Sequence, residues 1–194
     1  MPRARLLRGG WTIEARGLRL ACLGALLPFV LAVAVGFTAL YGTQSGGGGT
    51  LEGPLGDTGN PLFVAIALRN IAVALSLFAG ALTAGVGTVV GIAFQGFLIG
   101  ASTAAAATEV GFASAFSSVI GYAAIEVPAL LLAAVAGLLP VATMVAPADR
   151  TATLRPWARF LFPLGGALTL LAAALLLLLL GAAVETVVIT TRGI

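Results

Sequence analysis

Long apolar runs separated by short charged or glycine-rich segments set the pattern of this chain. Leu20–Tyr41 would rise about 33 Å as a helix, enough to cross a hydrocarbon core of about 30 Å. Pro28 bends such a helix without preventing insertion. Three further crossings are predicted near Asn70–Phe94, Gly96–Thr108 and Glu126–Val145, with Leu62–Leu68 lying at the interface before the first of them. The Leu-rich Phe160–Val184 makes a fifth. The third span is weakly apolar. Phe97, Leu98 and Ile99 contribute roughly −0.5 kcal/mol each to insertion, and Ala and Thr add little, so this span is expected at the centre of the bundle. Phe112–Ala124 is too short to cross and return, and is read as a re-entrant or broken helix shielded from lipid. Leu175–Leu180 is expected at the lipid-facing periphery. The fold class is therefore all-α: a polytopic transmembrane helix bundle of about five spans with one broken or re-entrant helix.

Charge orients these spans. The chain is 60% hydrophobic and 9% charged, against roughly 25% charged residues in soluble domains. Its ten basic residues are all Arg, facing seven acids, and there is no Lys and no His. Arg3, Arg5, Arg8, Arg16 and Arg19 precede the first span with only Glu14 opposing them, and the following loop holds Glu52 and Asp57 with no base. The positive-inside rule places the N-terminus in the cytoplasm and that loop outside. Arg150, Arg155 and Arg159 make Pro147–Trp157 cytoplasmic, so an odd number of crossings must join Asn60 to Pro147. The organisation expected is a cytoplasmic basic segment, 1–19, and a single transmembrane helical domain, 20–194. That domain has an extracytoplasmic Gly-rich loop, 42–60, a cytoplasmic loop, 146–159, and its C-terminus outside. The first span reads as a retained anchor, because its apolar run is long and no A-x-A site closes it. Cys22 has no partner for a disulfide and no lipobox before it, and is read as a small membrane-facing residue.

Gly46–Gly49 suggests a phosphate cradle, but a P-loop ends in Gly-Lys-Ser/Thr and no Lys exists here, so a flexible linker is expected. Asn60-Pro61 is a helix start. Gly80, Gly85, Gly87 and Gly91 with Gly96 and Gly100 give small-residue spacing that lets helix backbones approach closely. These glycines are expected to pack the second span on the third, with a tight turn at Gln95. The candidate polar positions are Asn70, Gln95, Tyr122 and Glu126. Glu126 is the only charge between Val110 and Ala146, and shares a helical face with Leu130, Ala133 and Gly137. A carboxylate at that depth is expected to face a partner or a wet cavity, as a structural clasp or as a proton, ion or partner site. Arg69 is its candidate counter-charge, unless it snorkels to the outer interface or pairs with Glu109. Glu109 and Glu185 are read as interfacial. No catalytic set is visible: without His there is no His-based triad or imidazole site, a lone Cys makes no thiolate cluster, and Ser114, Ser117 and Ser118 have no base beside them. No metal or cofactor is expected, and no enzyme.

From Leu62 to about Leu139 the order of these signals resembles the stage II sporulation protein M family. That family's pattern is an Asn-Asn pair near a span start, then Gly-x-Gly-Thr, then Asn-Gly with a Gly four residues later, then Pro-His-Gly-x-x-Glu. Here the matching positions are Arg69-Asn70, then Gly85-Val86-Gly87-Thr88, then Gln95-Gly96 with Gly100. Last comes Gly121-Tyr122-Ala123-Ala124-Ile125-Glu126, followed by Val127-Pro128-Ala129 as in the family. Asn70, the glycines, Thr88 and Glu126 transfer residue by residue. Arg69, Gln95 and Gly121-Tyr122-Ala123 depart from the pattern, so any activity carried by the family's His is missing, although Tyr122 keeps a hydrogen-bonding group. The resemblance implies a multi-pass plasma-membrane protein, which in spore formers acts with cell-wall-cleaving partners during engulfment.

Two functions follow as expectations. The first is a non-enzymatic membrane scaffold or component of an envelope-associated complex. The second is a permease or accessory subunit of a membrane transport system, with Asn70, Gln95 and Glu126 lining a path. An intramembrane enzyme is a distant third. The expected partners are the lipid bilayer and other membrane or envelope proteins, with a homo-oligomer allowed and no nucleic acid.

Overall fold

The computed structural model describes residues 13–41, 62–147 and 151–192. Six α-helices occur there: α1 (Ala15–Leu40), α2 (Leu62–Ala79), α3 (Val86–Val110), α4 (Phe112–Val145), α5 (Pro156–Leu161) and α6 (Leu164–Arg192). A 3₁₀ turn, Gly80–Thr83, ends α2. Five stretches are long and apolar enough to cross a membrane: Ala15–Leu40, Leu62–Thr83, Val86–Val110, Ala123–Val145 and Pro156–Thr191. The protein is an all-α, multi-pass transmembrane bundle. The Gly-rich loop 42–60 and the helix start at Asn60-Pro61 lie outside the described residues, as do Arg3, Arg5, Arg8, Asp149 and Arg150.

The boundary between the second and third spans differs from the one expected. It falls at Ala84-Gly85, and α3 runs unbroken through Gln95-Gly96. The reason is local chemistry. Ala84 and Gly85 both adopt left-handed backbone conformations, with φ of 52° and 83°, and only Gly does so without a Cβ penalty. Thr83 Oγ1 accepts a hydrogen bond from the Gly87 N–H at 2.8 Å and donates to the Gly80 carbonyl at 2.8 Å, which closes the turn. Thr88 is fully buried and donates its hydroxyl to the Leu77 carbonyl at 2.7 Å. That carbonyl lies just before the helix narrows, where intrahelical partners run out. Leu62–Leu68 consequently belongs to the second span itself.

The central helix is also a different one. The α4 crossing is 67% buried and the α3 crossing 28%, so the fourth span, rather than the third, forms the core. Ala129, Ala133, Ala134, Ala136 and Leu139 are fully buried there, and small side chains allow the close backbone approach that packs membrane helices. α3 keeps Val86, Val90 and Phe94 exposed on its outer face, which supplies the apolar surface that its Ala-rich half lacks. Residues 112–124 are not re-entrant. They are the first turns of α4, which continues through Pro128 and Pro140.

The broken helix is elsewhere. It occurs at Phe162-Pro163, between α5 and α6, where the proline cannot continue the hydrogen-bond ladder. Arg159 Nε donates to the Leu154 carbonyl at 2.9 Å, folding the preceding connection back onto α5. α6 is peripheral on one face only. Leu176 and Leu180 point outward, whereas Ala167, Leu171, Ala174, Leu178 and Ala182 are buried at helical spacing against the core.

Candidate functional site

Four helices converge on one polar cavity. α2, α3, α4 and α6 enclose a space of about 320 Å³ whose lining includes Arg69, Asn70, Gln95, Ser102, Thr103, Glu126 and Glu185. Volumes of this order are within the range of small-molecule sites, which combine apolar walls with a few converging polar groups. Of the four candidate polar positions, three line it: Asn70, Gln95 and Glu126. The fourth, Tyr122, lies on α4 with its side chain outside the described ones.

Glu126 is half-buried and accepts a hydrogen bond from Asn70 Nδ2 at 2.7 Å. This bond joins α4 to α2 across the cavity. Glu185 of α6 and Arg69 of α2 line the same cavity as Glu126. Arg69 itself is exposed at the margin. The direct clasp on Glu126 is therefore the amide of Asn70, with the Arg69 guanidinium a more distant counter-charge. Glu109 is exposed near the end of α3 and does not line the cavity.

Gly181 makes the meeting of α4 and α6 possible. A Cβ there would come 2.7 Å from Glu126 Cγ, so the glutamate stem occupies the space that a side chain on α6 would fill. Glu185 stands one helical turn further along the same face. Sequence reasoning set Glu185 aside as interfacial and passed over Gly181. One signal was available: Glu185 is the only charge between Arg159 and Arg192, the same isolation that singled out Glu126.

The glycines divide into two contacts instead of one seam. Gly80 and Gly87 face each other across the Ala84-Gly85 turn, and Gly91 meets Leu77 Cδ2, so these pack α3 on α2. Gly96 and Gly100 face α1. A Cβ on Gly96 would collide with the Phe29 carbonyl oxygen, and one on Gly100 with the Val33 carbonyl oxygen. Gly36 of α1 returns the contact, abutting the Phe97 carbonyl. Gly137 of α4 closes the set by seating against the Leu77 carbonyl and Thr88 Oγ1. Thr88, the fully buried polar side chain of this packing, spends its hydroxyl on the Leu77 carbonyl.

No curated protein and no solved structure matches the chain. A family model described as stage II sporulation protein M matches residues 25–189, which reaches into all five spans and includes every cavity residue named above. The chain belongs to the stage II sporulation protein M family.

Proposed function

We propose that this protein is a non-enzymatic membrane scaffold that holds partner proteins in an envelope-associated complex. The observation that carries this reading is the closed interior beside the cavity. Leu77, Ile92, Ala133, Ala136 and Leu139 are at most 1% exposed and belong to one continuous apolar cluster. The polar groups lining the cavity lie beside that cluster, where the Asn70–Glu126 hydrogen bond ties α2 to α4, which we read as a clasp rather than a path. The chain also devotes nearly all its described length to membrane helices, leaving its outward helix faces and connections as the surfaces available to partners.

Mild-detergent purification with identification of co-purifying proteins tests the reading. The expected result is recovery of the same envelope proteins in fixed ratio with the parent, and their loss from Glu126→Leu. A chain recovered without companions that carries a solute across reconstituted vesicles would overturn it.

The permease reading has one observation in its favour, which is that Asn70, Gln95 and Glu126 do line a common cavity. Under that reading Glu126→Gln accumulates normally and abolishes flux, because an ion or proton needs the carboxylate. Under the scaffold reading the same variant keeps its partners.

A further inference from the structure

The cavity between α2, α3, α4 and α6 is larger than its clasp requires. A hydrogen bond between Asn70 and Glu126 needs no space around it, yet about 320 Å³ is left open beside it. The walls are mostly apolar, including Val73, Leu98, Ile99, Leu130 and Ile189. Two carboxyls, Glu126 and Glu185, share the cavity with the amides of Asn70 and Gln95, and its one base, Arg69, is exposed at the margin. Two carboxylates confined to one cavity repel unless a proton or a cation lies between them.

From the volume, the apolar walls and the two carboxyls that line one cavity, we propose that the cavity binds the primary ammonium group of an amphipathic amine. Its –NH₃⁺ is held by Glu126 and Glu185, with the amide oxygens of Asn70 and Gln95 in reach, and its carbon chain lies against the apolar wall. A bare alkali ion leaves most of the space empty and makes no use of that wall. An ammonium has three donors and no acceptor, which matches two carboxyls and two amide oxygens. Gly181 serves the site directly: its missing side chain lets Glu126 lie against α6, one helical turn from Glu185.

One chemistry has two sources here, a free alkylamine or the ethanolamine headgroup of a membrane lipid, where Arg69 stands at the margin to meet the phosphate. The proposal is independent of the scaffold reading, since partner proteins co-purify or fail to whether or not the cavity is filled.

The test uses the full chain purified in mild detergent, with n-butylammonium as probe and n-butanol, butyrate, Na⁺ and K⁺ as controls. Binding is read by calorimetry and by thermal stabilisation. The expected result is saturable binding of n-butylammonium alone, weakened roughly tenfold or more by Glu185→Gln and by Glu126→Gln. Both variants keep shape and hydrogen bonding, so their purified yield is expected to match the parent. Native mass spectrometry after reconstitution with phosphatidylethanolamine or phosphatidylglycerol separates the sources. Selective retention of phosphatidylethanolamine, displaced by n-butylammonium, assigns the site to a lipid headgroup. Equal retention of both lipids, with n-butylammonium still bound, assigns it to a free amine. No saturable n-butylammonium binding, saturation by Na⁺ or K⁺ in its place, or unchanged binding in both variants would overturn the proposal.

Discussion

Among single residues, Glu126 has the most at stake. Its carboxyl is held by the Asn70 amide at 2.7 Å and packs its stem over Gly181. Membrane-buried hydrogen bonds contribute on average about 0.6 kcal/mol, and leaving a buried acceptor unpaired costs about 1–3 kcal/mol. Asn70→Ala is therefore expected to destabilise by roughly 1–2 kcal/mol, measurable as a lowered unfolding midpoint in detergent. Glu126→Gln retains a group that Asn70 can bond and removes one of the two carboxyls that line the cavity, so its midpoint is expected to equal or exceed the parent's. Glu126→Leu removes the acceptor and leaves the Asn70 donor unsatisfied, and its midpoint is expected to fall. An Asn70→Ala midpoint equal to the parent's would show that the clasp is not a stabilising contact. Glu126 was legible in the sequence because one charge in an apolar run is conspicuous at any register. Its seating against Gly181 of α6 was not. That contact depends on how α4 and α6 are rotated against each other, and nothing local to either helix states it.

Elements show the same division between local and tertiary information. Helix existence follows from the long apolar runs, and five runs gave five spans. The turn between α2 and α3 was placed at Gln95 because glycine spacing looks the same on either side of it. What decides the turn is the pair of left-handed residues at Ala84-Gly85, stitched by Thr83. Gly85→Ala is accordingly expected to cost about 1–2 kcal/mol from the left-handed backbone alone, and its Cβ would also press on Leu138 Cδ2 at 3.0 Å. A lowered unfolding midpoint for Gly85→Ala checks the assignment. The contact of α3 with α1 gives a sharper test. Leu at Gly100 would have to displace the backbone of α1 itself, since its Cβ already meets the Val33 carbonyl and the Phe37 amide. Gly100→Leu is expected to lower folded yield far more than Leu176→Ala, which trims an outward side chain. Equal yields would mean that α1 and α3 do not pack along this line.

Across the whole molecule, polar chemistry is sorted to the two ends. At one end, Ile13 packs on Gly166, Gly17 faces Thr143, and Thr151 donates to Glu14 at 2.8 Å, both being buried. These contacts bring together the start of α1, the end of α4 and the start of α6. That end also bears Arg16, Arg19, Arg155 and Arg159. The other end carries the aromatic series Tyr41, Phe37, Phe112 and Phe116, with ring centroids 5.0, 6.4 and 6.0 Å apart in turn, which joins the end of α1 to the start of α4. Tyr favours the membrane–water interface at either face, and Arg clustered near span ends favours the cytoplasmic side. The basic end is thus expected inside and the aromatic end outside, and five crossings put the C-terminus opposite the N-terminus. Cysteine labelling in intact cells checks this. Cys22 is exposed on α1 and must first be replaced, so Cys22→Ala is the parent background. Gly47→Cys is expected to react with a membrane-impermeant maleimide from outside, and Thr153→Cys, exposed in the α4–α5 connection, only after the cells are opened. Labelling of Thr153→Cys in intact cells would invert the orientation. The cavity, whose Asn70, Glu126 and Glu185 lie in the half of the bundle that holds the end of α1 and the start of α4, would then sit in the cytoplasmic half of the membrane instead of the outer half.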